Sequence, residues 1–281
     1  MLANFHTHKT RIKTTKLSKA KIKLHNQAEE YLKKDVLTFD EKLFVLENWN
    51  EGAENMNSSA GAFFTPIGLA KDFSLCLYED AKIIDLCAGI GMLSFFAYHW
   101  KKCDVTCVEL NSDYVRVGKK ILPEANWIHD SITDVDKYNL SKFDQAISNP
   151  PFGKIKTGLL GGLDLKYKGS EFEYITIDIA SKVANVGSFI LPQLSTPFKY
   201  SGNTHYEEVQ PSSKLSKFLK ETGFKMELPI GIDTDYYSDD WKGVKPLCEI
   251  VDIDFTDKNE IIDELKEEAN LFNYSTGEWG H

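Results

Sequence analysis

Lys82-Ile83-Ile84-Asp85-Leu86-Cys87-Ala88-Gly89-Ile90-Gly91 is the stretch that decides the fold. Ile83, Ile84 and Leu86 surround Asp85 in a run too short for a helix and closed by glycines, so 82–86 reads as a buried strand. Gly89 and Gly91 form the turn that leaves it, and 92–100 continues as a helix. Glycines on such a turn let backbone approach a bound nucleoside, and the helix N-terminus behind them adds N–H donors. A strand, a glycine turn and a helix make one unit of a parallel, doubly wound sheet, whose ligands bind at the carboxyl ends of its strands.

Downstream the alternation continues. Strands are expected at 104–110, 126–129, 143–148 and 188–191, with helices at 112–122, at 172–186 ended by Gly187, and at 212–222 ended by Gly223. Segments 224–232 and 248–255 read as a closing hairpin pair, which brings the sheet to seven strands, mostly parallel, with helices on both faces. Upstream, Leu32, Val36, Phe39, Leu43 and Leu46 recur at helical spacing over 26–50, and Thr38 with Glu41 forms a capping box that starts a new helix. Residues 48–61 are polar and small and read as a loop.

The composition is that of an ordinary globular chain, with 281 residues, 42% hydrophobic and 27% charged, which excludes disorder or a collagen-like repeat. No apolar run approaches the ~18 residues of a membrane helix, and the first residues lack the apolar core of a signal peptide. A cytoplasmic location with no membrane contact is the expectation. The five cysteines (76, 87, 103, 107, 248) form no CxxC pair and are expected reduced and mostly buried. No metal site is expected, since His6 and His8 alone make a poor ligand set. The net charge of -9 is uneven. Between Lys9 and Lys34 nine lysines and arginines face only Glu29 and Glu30, so this arm is at +7 and the remainder at -16. A basic arm on an acidic body suits local phosphate contact, and equally a solvated terminus.

Acidic residues mark three successive strand ends, with Asp85 on the first, Glu109 on the second and Asp130, followed by Ser131, on the third. A carboxylate at the second end suits a ribose diol. Ser148-Asn149-Pro150-Pro151-Phe152-Gly153 follows the fourth strand. The prolines stiffen that turn. An aromatic exocyclic amine is a poor nucleophile because its lone pair is delocalised. The Asn149 side-chain carbonyl and the Pro150 backbone carbonyl can accept both amine hydrogens and favour a pyramidal nitrogen, while Phe152 stacks on the base.

DLCAGIG resembles the nucleotide-binding motif of class I S-adenosylmethionine-dependent methyltransferases, which have a Rossmann-like fold. The resemblance implies S-adenosylmethionine as cofactor, held by Asp85 near its methionine part, by Cys87, Ala88, Gly89 and Gly91 on the turn, by Glu109 at the ribose and by Asp130 and Ser131 at the adenine. Cys87 stands where many relatives have Gly or Phe. NPPF (Asn149, Pro150, Pro151, Phe152) is similar to the [DNS]-P-P-[FYW] signature of amino-methyltransferases acting on adenine N6, cytosine N4 or glutamine N5. There is no Pro-Cys dipeptide, which argues against cytosine-C5 chemistry. Gly61-Ala62-Phe63-Phe64-Thr65-Pro66 is similar to a segment of adenine-N6 DNA methyltransferases, including the modification subunits of type I restriction systems. By that resemblance Phe64, Thr65 and Pro66 line the cofactor pocket, while residue pattern alone makes Thr65 an N-cap and Pro66 a first helical residue.

The motif order FFTP, DLCAGIG, NPPF implies adenine-N6 methylation of DNA. RNA adenine-N6 methylation is the runner-up, followed by glutamine-N5 methylation of protein or a silent nucleic-acid-binding subunit. The resulting division is a basic arm and helical extension (1–57), a catalytic unit (58–255) and an acidic tail (256–281). Residues 153–170, with lysines at 154, 156, 166 and 168, are expected to form a phosphate-contacting lid, and Phe198, Lys199, Tyr200, His205 and Tyr206 to meet bases or phosphates. Only 26 residues follow Phe255, so sequence choice is expected to come from the arm and loops or from a partner such as a specificity subunit, or to be weak, and a homo-oligomer is a further possible assembly.

Overall fold

The computed structural model describes residues 18–50, 64–138, 140–154, 163–242 and 245–256. Two helices lead, α1 (Lys19–Leu32) and α2 (Phe39–Asn48), followed by α3 (Ile67–Phe73). Then come β1 (Lys82–Leu86), α4 (Met92–Lys101), β2 (Asp104–Glu109), α5 (Ser112–Ile121), β3 (Asn126–His129), β4 (Phe143–Ser148), α6 (Phe172–Val183) and β5 (Ala184–Pro192). A small hairpin of β6 (Phe198–Lys199) and β7 (Glu207–Glu208), α7 (Ser213–Thr222) and β8 (Cys248–Asp254) complete it. The main sheet has the order β3-β2-β1-β4-β5-β8, parallel throughout except for β8 against β5.

Both faces of the sheet are covered, so its strands are apolar on both sides. In β1, Ile83 packs into one core with α3, α4 and α5, whereas Ile84 and Leu86 pack into the other with α6 and α7. The two-residue period therefore sends Asp85 toward α4. The leading helices join the first core through Ala28, Leu32, Val45, Leu46 and Trp49. Thr38 caps α2 and Glu41 completes the capping box.

Several expectations need correction. The sheet has six strands among the described residues, not seven. Segment 224–232 keeps only one bridge, with Glu227 and Asp252 exchanging both backbone bonds (3.0 and 2.9 Å). The next bonded position on that side is Pro229, which has no N–H to extend the ladder. Helix α6 stops at Val183, and Gly187 lies inside β5. A Cβ there would come within 2.4 Å of the Phe189 ring and 2.9 Å of the Phe255 ring, so the glycine makes room for aromatic packing. The expected stripe of 26–50 breaks between α1 and α2, where Val36 is 81% exposed. From Lys19 onward the basic arm is helix α1, packed on α2, and its earlier lysines lie outside the described residues, as do most of the 48–61 loop and the acidic tail. The five cysteines are free thiols, three buried and two half-buried. No helix of the described residues is long and apolar enough to cross a membrane.

Candidate active site

At the carboxyl edge of the sheet, β1 opens into a turn where Cys87, Gly89 and Gly91 all have positive φ (66°, 59° and 86°). Glycine adopts this region at little cost, and Gly91 also leaves room for Trp127, whose ring would sit 3.2 Å from a Cβ. Cys87 carries the cost of a left-handed L-residue, about 1–2 kcal/mol, which explains why Gly is a natural alternative at this position. Its thiol is pushed well up, first by burial and then by the carboxylates Glu109 and Asp85, and is no nucleophile.

Phe64, Thr65, Asp85, Cys87, Ala88, Gly89 and Asn149, with residues of early α4, line one pocket. Asp85 is 1% exposed, and its Oδ2 accepts the Ser94 hydroxyl at 2.6 Å. Its Oδ1 is buried without a hydrogen-bond partner among the described residues. An orphaned buried carboxylate oxygen costs free energy unless a ligand satisfies it. Burial raises the Asp85 pKa to about 7, the Ser94 bonds oppose this, and the nearby Glu109 charge adds to it. A cationic amino group is one partner that would satisfy Oδ1, and it is the chemistry expected of the methionine part of the cofactor. Sequence reading missed Ser94, whose one signal is a lone hydroxyl in the apolar first turn of α4.

Glu109 ties the turn to β2. One oxygen accepts the Gly89 N–H at 2.8 Å and the other the Asn111 N–H at 2.7 Å. Each oxygen keeps a second lone pair for a diol. Burial raises its pKa, against the bonds from Asn111 and Gly89. Asp130 and Ser131 stand two strands away from β1 and do not line this pocket. The Asp130 carboxylate accepts the Tyr138 hydroxyl at 2.7 Å and the Ser131 N–H at 2.8 Å, and these bonds hold it below the usual carboxylate range.

The two motifs farthest apart in function meet here. Asn149 Nδ2 donates to Thr65 Oγ1 at 2.9 Å, across 84 residues of sequence. Thr65 is therefore not the N-cap expected of it. Helix α3 begins at Ile67, Pro66 takes the flanking position, and the hydroxyl serves Asn149 instead. With Nδ2 engaged, the acceptor of the amide is Oδ1. Ser148 anchors the same turn by donating to the Leu86 carbonyl. Pro150 is buried, and Pro151 and Phe152 are half-buried. After Phe152, Gly153 (φ 102°) donates its N–H to Glu173 Oε2 at 3.1 Å, and Glu173 Oε1 accepts the Ser195 hydroxyl at 3.0 Å. Glu173, buried in the first turn of α6, thus clamps the rear of the Asn149–Phe152 turn. No sequence motif announced it.

Phe64 is the pocket's aromatic wall. Its ring lies 5.8 Å from Trp49 and 5.1 Å from Tyr114, and Lys242 Nζ stands 5.5 Å above it. Lys242 also donates to the carbonyls of Leu46 (3.2 Å) and Trp49 (2.7 Å), and burial lowers its pKa to about 8. Among the residues expected to face nucleic acid, Phe198 is fully buried in the core, because its position in β6 turns it inward. The Tyr200 hydroxyl donates to Gly231 O, and His205 and Tyr206 are exposed. The lid's residues 155–162 lie outside the described residues.

The geometry gives Thr65 a specific test. Thr65→Val removes the acceptor but keeps the shape, leaving the Asn149 amide without that bond. The turnover rate is expected to fall about tenfold, the size of a lost hydrogen bond of about 1.5 kcal/mol, with cofactor affinity nearly unchanged. Thr65→Ser should restore most of the rate, and loss of affinity without loss of rate would contradict the assignment.

Comparison with known proteins agrees with this geometry. Residues 69–159 match the methyltransferase small domain family. The chain is 27% identical over 173 residues to the Type II methyltransferase M.BsuBI of Bacillus subtilis, covering 48% of this chain and 34% of that one. It is 26% identical over 152 residues to the tRNA1(Val) (adenine(37)-N6)-methyltransferase of Shewanella sediminis, covering 50% and 57%. The chain thus spans about a third to just over half the length of these relatives. In fold it is similar to a Listeria monocytogenes structure assigned to the class I S-adenosylmethionine-dependent methyltransferases (TM-score 0.56, 13% identity, 85% of this chain and 81% of that one). It is also similar to a type I restriction-modification methyltransferase subunit of Streptococcus thermophilus (TM-score 0.54, 15% identity, 78% and 49%). The sheet order and these likenesses give the chain the Rossmann-like fold of the class I S-adenosylmethionine-dependent methyltransferases, with a methyltransferase small domain matched over residues 69–159.

Proposed function

We propose that this chain transfers a methyl group from S-adenosylmethionine to the N6 amino group of adenine in a nucleic acid, with DNA the preferred polymer. The observation that carries the reading is the Thr65–Asn149 hydrogen bond, which fixes the catalytic amide against the wall of the cofactor pocket. Bound there, the cofactor supplies an electrophilic sulfonium methyl whose leaving group departs neutral, so the chain needs no acid. Asp85 Oδ1 accepts from the cofactor's amino group, and Glu109 from its ribose. Asn149 Oδ1 and the Pro150 carbonyl take the two amine hydrogens of the target, which orients the nitrogen lone pair toward the methyl. Phe152 stacks on the base, and the proton displaced from nitrogen leaves to water. A base inside a duplex must be flipped out to reach this turn.

Motif order supports DNA, while the Shewanella sediminis relative, a tRNA methyltransferase by name, supports RNA as the second reading. Incubation with labelled cofactor and parallel DNA and RNA pools separates them. Label entering DNA at a rate at least about tenfold above RNA, a difference of about 1.4 kcal/mol in barrier, is the expected result. Label confined to RNA would make the second reading the correct one.

A further inference from the structure

We propose that the cavity between the Tyr167–Glu171 segment and the first turn of α7 binds a backbone phosphate of the nucleic-acid substrate, with Lys168, Lys214 and Lys217 as its cations. The inference rests on the nucleic-acid reading above and adds a contact site to it. The cavity has a volume of about 380 Å³ and is open to solvent. Its lining holds these three lysines against one carboxylate, Glu171.

That carboxylate is already satisfied. Glu171 Oε2 accepts the Tyr167 hydroxyl at 2.6 Å, and Oε1 pairs with Lys214 at 2.9 Å. Against the cost of burial, these two bonds hold Glu171 down to about 2, so it stays ionised and fixes Lys214 in place. Lys217 donates to the Lys168 carbonyl at 3.0 Å, and Lys168 to the Leu165 carbonyl. The surrounding carboxylates are farther off, with Glu221 3.9 Å from Lys217 and Asp164 4.0 Å from Lys168, both at the limit of ion pairing. The cavity thus gathers three ammonium groups, of which Lys168 and Lys217 are held by their carboxylates only at the limit of ion pairing and can turn to an anion.

Position gives the site its meaning. Glu171 bridges Lys154, two residues beyond Phe152, and the Phe172 N–H donates to the Gly153 carbonyl at 2.8 Å. The cavity wall is thus continuous with the turn that is proposed to hold the target base. A strand whose base enters that turn must carry its neighbouring phosphates past this edge, and phosphates are where lysines contribute affinity without sequence choice.

The test compares the full chain with the variant Lys168→Gln/Lys214→Gln/Lys217→Gln in nucleic-acid binding across a salt series. Expected is weaker binding on every sequence, with a salt slope reduced by about 0.9 for each lost contact on duplex DNA, or about 0.7 on single strands. Cofactor affinity should be unchanged, which also certifies folding. Should loss of Lys214 expose Glu171 and destabilise the chain, Lys168→Gln/Lys217→Gln leaves that pair intact and must still lower the slope. An identical slope in a folded variant, while the parent methylates nucleic acid, overturns the cavity and leaves the function standing. A parent that binds no nucleic acid overturns both. Inorganic phosphate that raises the parent's Tm but not the variant's, with no change in slope, would reassign the cavity to free phosphate and overturn the proposal.

Discussion

Asn149→Ala is expected to lower the methyl-transfer rate by about 10²–10³-fold, the usual consequence of deleting an oriented acceptor from a preorganised site. The loss should fall on turnover, because the amide acts on the target amine. Cofactor affinity should stay nearly unchanged, since the carboxylates assigned to the cofactor, Asp85 and Glu109, are held by Ser94 (through Asp85 Oδ2), Gly89 and Asn111 and not by Asn149. Single-turnover rates with saturating cofactor, alongside calorimetry, check both halves. A variant that keeps more than a tenth of the parent rate removes Asn149 from the chemistry.

Asp85→Asn should separate binding from stability. Loss of a charged acceptor for the cofactor's amino group costs about 1.5–3 kcal/mol, roughly a ten- to hundredfold weaker Kd by calorimetry. Without cofactor the same change should stabilise the fold. The folded chain holds the Asp85 proton up to about pH 7, whereas the unfolded chain releases it near the ordinary aspartate value of 3.8. Between those values the native state binds more protons, so the parent loses stability as pH rises through the window. An amide at this position does not ionise, and the variant escapes that loss. Its Tm advantage should grow from about pH 4 to about pH 7 and level off above, and a pH-independent difference would contradict the burial of a charged Asp85. The orphaned Oδ1 is the structural sign of this trade between stability and ligand binding.

Much of this was legible in the sequence where the signal is local. The strand Lys82–Leu86, its glycine turn, the strand Phe143–Ser148 and the capping box at Thr38 come from patterns of about ten residues or fewer, and the structure has them as read. What the sequence did not show depends on partners far along the chain. Gly187 read as a helix stop because its reason, the rings of Phe189 and Phe255, exists only once β5 and β8 pair. Phe198 read as a base contact because an aromatic residue in a loop looks the same whether it faces in or out. The seventh strand failed at Pro229, a residue plain in the sequence whose register opposite β8 was not. In the candidate site, Asp85, the glycines and Asn149 were found by motif, whereas the bonds that position them, from Ser94, Thr65 and Glu173, span 9, 84 and 20 residues. Asp130 and Ser131, expected at the adenine end of the cofactor, follow β3, two strands from β1 and outside the lining around Asp85.

Asn149 and Pro150 are proposed to present an exocyclic adenine amine to the cofactor's methyl group. The most direct measurement is to label nucleic acid with the full chain and S-adenosylmethionine, digest it to nucleosides and identify the product by mass. N6-methyladenosine or its deoxy form is the expected labelled nucleoside, absent with Asn149→Ala. Label in N4-methylcytosine, or on glutamine of a protein in place of any nucleoside, would contradict it.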